Sequence, residues 1–173
     1  MRIAKRFHWS AAHRLPWHDG PCRHLHGHSY KMEVVVVGPI NQQGMVLDFA
    51  YIKRALKPLV EAWDHATLVY EGDERYLAFV RDMGFKHYVF PYDTTAENLA
   101  RYAADRLLTE AAEDLAACGA TLITVRVYET ATAYAELAVP VLAPASGDGA
   151  AAQPSFAPRS QPGPTEPPAL HDL

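Results

Sequence analysis

The chain has 173 residues, of which 49% are hydrophobic and 21% are charged, and its formal net charge is -4 at pH 7. These values are ordinary for a soluble globular protein, and the length fits one domain with an appendage. The slightly acidic balance argues against nucleic acid as a partner, because nucleic-acid binders usually present a basic face. A small anionic substrate is compatible with this balance, since a few local Lys or Arg side chains are sufficient to bind it.

The sequence favours a cytoplasmic protein. Residues 1–6 contain no hydrophobic core of the kind that signal peptides carry. No apolar run approaches the roughly 20 residues that a membrane-spanning helix needs, so we expect no membrane contact. The two cysteines, Cys22 and Cys118, lie far apart in different contexts. Nothing else in the chain is typical of a secreted, disulfide-bonded protein.

The first half of the chain predicts two strands and a helix. Residues 2–13 predict a strand, residues 14–27 a polar loop, and residues 28–38, with four consecutive valines, a second strand. Asp48 precedes a run of apolar residues at spacings of three and four, which predicts a capped amphipathic helix. Pro58 lies inside this helix and is expected to kink or break it.

The second half predicts two helices and further short strands. In chain order the predicted elements are a helix at 72–83, a strand at 87–90, a long helix at 95–117, a strand at 121–129 and a short strand at 131–139. The long helix has a hydroxyl cap with an acid in its first turn, and Gly119 follows it as a stop. This order predicts an α+β fold in which helices cover one face of an antiparallel sheet.

The composition changes at Pro140. From there on prolines recur among Ala, Ser, Gly and Gln, and such a segment buries too little apolar surface to offset its ordering entropy. We therefore divide the chain into a folded domain, 1–140, and a Pro/Ala-rich tail, 141–173. We expect the tail to be disordered and without function.

A His-Gly-His sequence gives the strongest chemical signal. His26 and His28 open the second strand, where residues two apart point to the same face, and Gly27 lets the backbone approach closely. His13 ends the preceding strand, which can pair with it and bring a third imidazole alongside. Three His ligands are typical of a catalytic Zn²⁺ site with an open fourth position. A chance pair is the alternative in a chain with nine histidines, and His24 shares the alternation as a competing ligand.

Cys22 is a candidate base or nucleophile. It lies in the polar loop beside Arg23, and cationic and metal charge nearby would favour its thiolate. The alternative is that Cys22 is a fourth zinc ligand. We rank this alternative second, because four protein ligands would block chemistry at the metal.

Two further groups are candidates from their positions. Asp64 and His65 end the first helix, and a carboxylate beside an imidazole can form a proton relay. A histidine placed favourably near a helix terminus is the simpler alternative. Glu129 ends the strand at 121–129, where a buried carboxylate can receive the paired N–H donors of a guanidine-like heterocycle. An exposed terminal charge is the alternative there.

Taken together, these residues resemble the family of pyruvoyl- and carboxytetrahydropterin synthases. The resemblance extends over residues 1–135, nearly the whole predicted domain. It is carried, in family order, by Ala11-Ala12-His13-Arg14-Leu15, Cys22-Arg23-His24-Leu25-His26-Gly27-His28, Leu47-Asp48-Phe49, Asp64-His65, Thr95-Ala96-Glu97-Asn98 and Glu129-Thr130. Each motif is weak or moderate alone, but the series is highly specific.

The resemblance implies a tunnelling fold, in which a four-stranded antiparallel sheet carries two helices on one face. Such sheets join into a trimeric β-barrel, and two trimers stack as a homohexamer with active sites at subunit interfaces. The implied residue roles are zinc ligands for His13, His26 and His28, base for Cys22, relay for Asp64 and His65, and pterin anchor for Glu129. Zinc would bind the hydroxyls of the substrate side chain and lower their proton affinity.

The spacing C-x-x-x-H-G-H is similar to that of the bacterial carboxytetrahydropterin synthases of queuosine biosynthesis. The implied reaction converts 7,8-dihydroneopterin triphosphate to 6-carboxytetrahydropterin with release of acetaldehyde and triphosphate. The alternative is the pyruvoyl reaction, which eliminates triphosphate from the same substrate. A non-catalytic pterin- or zinc-binding module is disfavoured, because a base and a relay are present. The segment 70–93 is longer than in the shortest family members.

Overall fold

A computed structural model of the chain describes residues 1–142. All but the first two residues of the tail predicted at 141–173 therefore lie outside the described residues, and the disorder of the tail stays a prediction. None of the helices in residues 1–142 is both long enough and apolar enough to span a lipid bilayer.

The described residues form six strands and four α-helices. In chain order these are β1 Arg2–His13, β2 His26–Val37, α1 Phe49–Trp63, β3 Ala66–Tyr70, α2 Glu74–Asp82, β4 His87–Phe90, α3 Ala96–Glu110, α4 Ala112–Ala117, β5 Leu122–Tyr128 and β6 Tyr134–Pro140. A short 3-10 helix, Pro21–Arg23, interrupts the loop between β1 and β2.

The strands form one mixed sheet in the order β4-β3-β1-β2-β5-β6. Strands β1, β2, β5 and β6 pair antiparallel and make up the four-stranded sheet that the family resemblance implies. The sheet is larger than predicted, because β3 and β4 add two parallel strands beside β1. Parallel neighbours need a crossover, and α2 provides the one between β3 and β4. The run 66–70 was not predicted as a strand, since five residues directly after a helix give little periodicity.

Helices α1 and α3 pack on one face of the sheet, as predicted. Helix α1 contacts β1, and α3 contacts β5 and β6. The side chains at alternate positions of β1 and β2 that face these helices are buried, and they form the core with the apolar stripes of the helices. The other two helices lie at the periphery, with α2 against β3 and α4 following α3.

The opposite face of the sheet is polar. A row of alternating charges crosses the four antiparallel strands, since Arg6, Glu33, Arg126 and Glu136 are successive cross-strand partners. Nε of Arg6 lies 2.7 Å from Oε2 of Glu33, whose Oε1 lies 3.7 Å from Nη1 of Arg126. Arg126 also forms an ion pair with Glu136. Behind the four antiparallel strands the main core therefore lies on the side of α1 and α3. A small second cluster, formed by Val69 of β3 with Leu77 and Val80 of α2, lies on the other face at the β3–β4 end of the sheet.

The helix caps follow the local sequence, but the structure differs from two predictions about where a helix is interrupted. Asp48 accepts a hydrogen bond from the backbone of Ala50 at 2.8 Å, and Thr95 caps α3. Pro58 does not break α1, because it lies on the exposed face while the buried stripe continues past it. The helix predicted at 95–117 is divided at Ala111, whose φ of -119° ends α3.

Candidate metal centre and active site

The structure brings His13, His26 and His28 together. One ligand atom from each ring lies within 4.8 Å of the corresponding atoms of the other two. The ring centroids are 4.6 Å apart for His13 and His26 and 4.9 Å apart for His26 and His28. In the described part of the chain, His24 and Cys22 do not belong to this group. The metal ligands predicted from the sequence therefore form one cluster.

The strand register explains this convergence. His13 pairs with His26, and Ala11 pairs with His28, so the three imidazoles lie on the helical face at the end of the β1–β2 pair. Gly27 lies opposite Ala12, and a Cβ at this position would lie 3.2 Å from the backbone oxygen of Ala11. The glycine thus permits the close strand approach that the sequence predicts.

Backbone carbonyls orient each of the three rings. Nδ1 of His13 donates to the carbonyl oxygen of Thr94 at 2.8 Å, and Nδ1 of His26 donates to that of His24 at 2.8 Å. His28 is hydrogen-bonded to the backbone of Glu129. A carbonyl oxygen only accepts, so each oriented ring carries its proton on the bonded nitrogen and leaves the other lone pair free.

The free nitrogens fit a metal ion. The Nε2 atoms of His13 and His28 are buried, and within residues 1–142 neither has a hydrogen-bond partner. A buried polar atom without a partner costs free energy, which coordination to a cation would recover. Three imidazoles are the donor set of catalytic zinc sites, and imidazole nitrogen also suits other transition metals.

Burial keeps the rings of His13 and His28 neutral. It lowers the pKa of His13 to about 4, and the neighbouring rings of His26 and His28 contribute in the same direction. Burial and His26 also lower the pKa of His28. Because a proton and a metal compete for the same lone pair, these rings are ready to bind a cation at pH 7.

Glu129 lies at the edge of the histidine cluster. Its Oε1 is 3.8 Å from Nε2 of His13, and its side chain is 28% exposed. Burial raises its pKa, and so does the negative charge of Glu97, while His26 and the hydroxyl of Tyr30 act in the opposite direction. The alternative of an exposed terminal charge is therefore not what the structure shows.

Sequence reasoning missed two residues of this site. Glu97 was read only as an acid in the first turn of α3, yet it lies close enough to Glu129 to raise its pKa. Thr94 was not predicted as a site residue, yet its carbonyl orients His13 and the residue itself is 1% exposed. The motif Thr95-Ala96-Glu97-Asn98 contained the only local signal for the first of them.

Asp64 and His65 face each other at the end of α1. Nδ1 of His65 lies 3.0 Å from Oδ2 of Asp64, whose Oδ1 accepts from the backbone of Ser10 at 2.9 Å. The Ser10 bond is the main cause that lowers the pKa of Asp64, and His65 and Lys86 add to it. His65 has a left-handed φ of 56° and donates its backbone N–H to Ser10 at 2.6 Å.

The acid–imidazole pair is separate from the histidine cluster within one chain. Ser10 precedes His13 by three residues, which span about 10 Å of strand. In the range 1–142, no hydrogen bond or ion pair joins Asp64 or His65 to the three metal-ligand candidates. The side chain of His65 is 80% exposed and that of Asp64 is 43% exposed, so the pair lies on the surface of the chain.

Cys22 lies in the 3-10 helix of the β1–β2 loop, on the chain segment that leads into His26. Its thiol is free and partly exposed. Its carbonyl oxygen accepts a hydrogen bond from the backbone of Leu15 at 2.9 Å, which ties the two ends of this loop together. The structure thus places Cys22 by its backbone and leaves its side chain available.

The sheet, its helices and the three clustered imidazoles define an α+β protein with a candidate tri-histidine metal centre. The family model described as 6-pyruvoyl tetrahydropterin synthase matches residues 2–139. The chain belongs to this family.

Curated relatives extend over most of the chain. The 6-carboxy-5,6,7,8-tetrahydropterin synthase of Haemophilus influenzae is 33% identical over 144 residues, which are 79% of this chain and 97% of the relative. The protein of the same name from Aquifex aeolicus is 33% identical over 157 residues, with coverage of 78% and 95%.

Solved structures share the tunnelling fold. The 6-pyruvoyl tetrahydropterin synthase of Plasmodium falciparum superposes with a TM-score of 0.66 at 19% identity, covering 81% of this chain and 98% of that one. The Caenorhabditis elegans 6-pyruvoyl tetrahydropterin synthase gives a TM-score of 0.56 at 22% identity, with coverage of 79% and 94%. At these identities the likeness concerns the fold alone.

Proposed function

We propose that this chain is a zinc-dependent carbon–carbon lyase that converts 7,8-dihydroneopterin triphosphate to 6-carboxytetrahydropterin, releasing acetaldehyde and triphosphate. The observation that carries the proposal is the convergence of three carbonyl-oriented imidazoles beside a partly buried carboxylate. With a metal ion bound, this arrangement would offer a cation and an anion next to each other, as a polyhydroxylated, guanidine-like substrate requires.

Two observations favour the carboxy product over the pyruvoyl product. The chain has the C-x-x-x-H-G-H spacing from Cys22 to His28. In addition, the relatives from Haemophilus influenzae and Aquifex aeolicus are both named for the carboxy reaction. The product belongs to queuosine biosynthesis, and the pyruvoyl reaction is the second candidate.

His13, His26 and His28 would hold the zinc ion. When bound, zinc supplies a Lewis acid that lowers the proton affinity of substrate hydroxyls. Glu129 would receive the N–H edge of the pterin, since its carboxylate faces the cluster rather than bulk solvent. Cys22 would remove a proton from the substrate side chain, because its free thiol lies on the loop that leads into His26.

The position of Asp64 and His65 supports an oligomeric active site. The pair is hydrogen-bonded as a relay requires, yet it lies on the surface of its own chain. A second subunit can receive it, and the homohexamer that the family resemblance implies places active sites between subunits. We therefore propose a homohexamer in the cytoplasm, in which the relay of one subunit serves the thiol of a neighbour.

Product analysis tests the reaction. Purified protein loaded with zinc is incubated with 7,8-dihydroneopterin triphosphate, and the pterins, acetaldehyde and triphosphate are measured. Acetaldehyde in equal amount to a carboxypterin supports the proposal. A pyruvoyl product with triphosphate and no acetaldehyde would assign the second candidate, and no turnover at all would favour a binding module.

Two variants separate chemistry from metal binding in the same assay. Cys22→Ala is expected to keep zinc and lose turnover, because the thiol acts on substrate. His65→Ala is expected to do the same, because the relay lies apart from the ligands. Mixed oligomers of these two variants should regain activity if the relay acts between subunits, and they should stay inactive if both residues act within one chain.

A further inference from the structure

A two-point ion pair joins the end of β1 to the β3–α2–β4 unit. Nε and Nη2 of Arg14 each lie 2.7 Å from one carboxylate oxygen of Asp73. The guanidinium also lies over the ring of Tyr76, 4.7 Å from its centroid. The Asp73 side chain is only 9% exposed, so this pair is partly shielded from water. Such fork-to-fork pairs fix the orientation of both groups.

Asp73 pairs with Arg14 instead of capping its own helix. It is the N-cap residue of α2, but its side chain makes no capping hydrogen bond. An aspartate at this position usually accepts a hydrogen bond from a backbone N–H in the first turn of its helix, which stabilises the helix. Here both oxygens bind Arg14 instead, 59 residues away in the chain. Helix α2 is therefore anchored to the β1–β2 loop rather than capped.

The pair connects to the candidate base through one residue. Arg14 is followed by Leu15, which is buried and whose backbone N–H donates to the carbonyl oxygen of Cys22 at 2.9 Å. The loop between them closes on the Leu15 backbone, since His18 donates to the Leu15 carbonyl at 3.0 Å. A shift of Arg14 would move the hydrogen-bonded support of Cys22.

The metal ligand next to Arg14 has separate support. His13 pairs with His26 across the strands and donates to the carbonyl of Thr94. Neither contact involves Asp73 or helix α2. Loss of the ion pair should therefore disturb Cys22 without releasing the metal.

We propose that Arg14 is a positioning residue, held by Asp73 and Tyr76, which sets the place of the Cys22 thiol relative to the histidine cluster. The inference rests on the proposed function, in which Cys22 takes a proton from the substrate. This proposal gives the segment 70–93 a role in the reaction, because its residues Asp73 and Tyr76 hold Arg14 and so support the loop that carries the candidate base.

The test compares two similar ion pairs. Asp73→Asn removes the charge and keeps the size of the side chain. Asp114→Asn is the control, because Asp114 makes a similar pair with Arg54 at 2.6 Å, and Arg54 lies 5.0 Å from the centroid of the Tyr51 ring. This second pair joins α1 to α4, and no hydrogen bond or ion pair within residues 1–142 connects it to the β1–β2 loop. Both variants are made in the full chain, loaded with zinc, and compared for zinc content and melting temperature.

Two readouts follow the thiol. For Asp73→Asn we expect kcat to fall about 10-fold or more with KM changed less than about twofold, because misplacing a catalytic group by 1 Å lowers the rate strongly. We also expect alkylation of Cys22 by iodoacetamide, relative to Cys118 in the same molecule, to rise about fivefold as the loop loosens. Arg14→Lys keeps the charge, loses the fork geometry and should change both readouts in the same direction.

The outcomes separate this inference from the proposed function. The inference is overturned if Asp73→Asn matches the Asp114→Asn control in kcat and in the alkylation ratio of Cys22. It is also overturned if Asp73→Asn loses zinc in proportion to activity. If the wild-type protein has no turnover, the proposed function fails, and the alkylation ratio alone still decides whether Asp73 positions Cys22.

Discussion

Zinc should stabilise the folded chain through three histidines and without Cys22. A ligand that binds only the folded state stabilises it by about 2.7 kcal/mol at a free concentration of about 100 times its Kd. The structural basis for this stabilisation is the buried Nε2 atoms of His13 and His28, which have no hydrogen-bond partner in residues 1–142. Coordination would give both of them a partner.

This free energy corresponds to a measurable change in melting temperature. Unfolding entropy is about 2.1 cal/mol/K per residue. The melting temperature of a folded unit the size of residues 1–142 should therefore change by about 3 °C for each kcal/mol of stabilisation. A free zinc concentration of about 100 times its Kd should therefore raise the melting temperature by roughly 8 °C. The comparison needs one fixed protein concentration, because an oligomer adds its own concentration dependence.

The assay is differential scanning fluorimetry of chelator-treated protein with and without zinc. Wild-type protein and Cys22→Ala should show the same rise, since the thiol does not belong to the ligand cluster. His28→Ala should show little or none at the same zinc concentration, because two imidazoles remain. Subtracting the zinc-free melting temperature of each variant removes any effect of the substitution itself.

One result would refute the reasoning. If Cys22→Ala abolished the zinc-dependent rise, the thiol would be a fourth ligand, and the site would be a closed, four-ligand site. A wild-type protein that did not respond to zinc at all would reject the metal centre altogether.

Two other predictions concern the carboxylate and the pH dependence. Glu129→Gln should lower kcat/KM about 100-fold with zinc content unchanged, since a hydrogen bond to a charged group contributes about 1.5–3 kcal/mol. Glu97→Gln is the matched comparison, and a larger loss there would move the pterin anchor to Glu97. In zinc-free protein, burial lowers the pKa of His13 from 6.5 to about 4. Between these pH values the unfolded chain therefore binds more protons than the folded chain, and the free energy of unfolding falls as the pH falls. From pH 7 to pH 5 this group should lower the free energy of unfolding by about 2 kcal/mol. Urea unfolding with a chelator measures it, and an equal pH dependence in His13→Gln would contradict the assignment.

Much of the fold and the site could be predicted from local sequence. The alternation in β1 and β2, the cap residues Asp48 and Thr95, and the His26–His28 spacing each depend on residues close together in the chain. These signals were sufficient to predict the antiparallel sheet, its two covering helices and the metal-ligand cluster. Local sequence also suggested candidate roles for Cys22, Asp64, His65 and Glu129. The family resemblance favoured these roles over their alternatives, and they stay proposals.

Tertiary structure decided what depends on distant segments. The carbonyl of Thr94 orients His13 across 81 residues, and Asp73 binds Arg14 across 59. Strand β3 has only five residues and pairs with β1 over two of them, Ala66 and Thr67, so its own sequence did not indicate its place in the sheet. Periodicity and capping report only a residue's near neighbours along the chain. The path of the chain alone determines which distant carbonyl or carboxylate reaches an imidazole or a guanidinium.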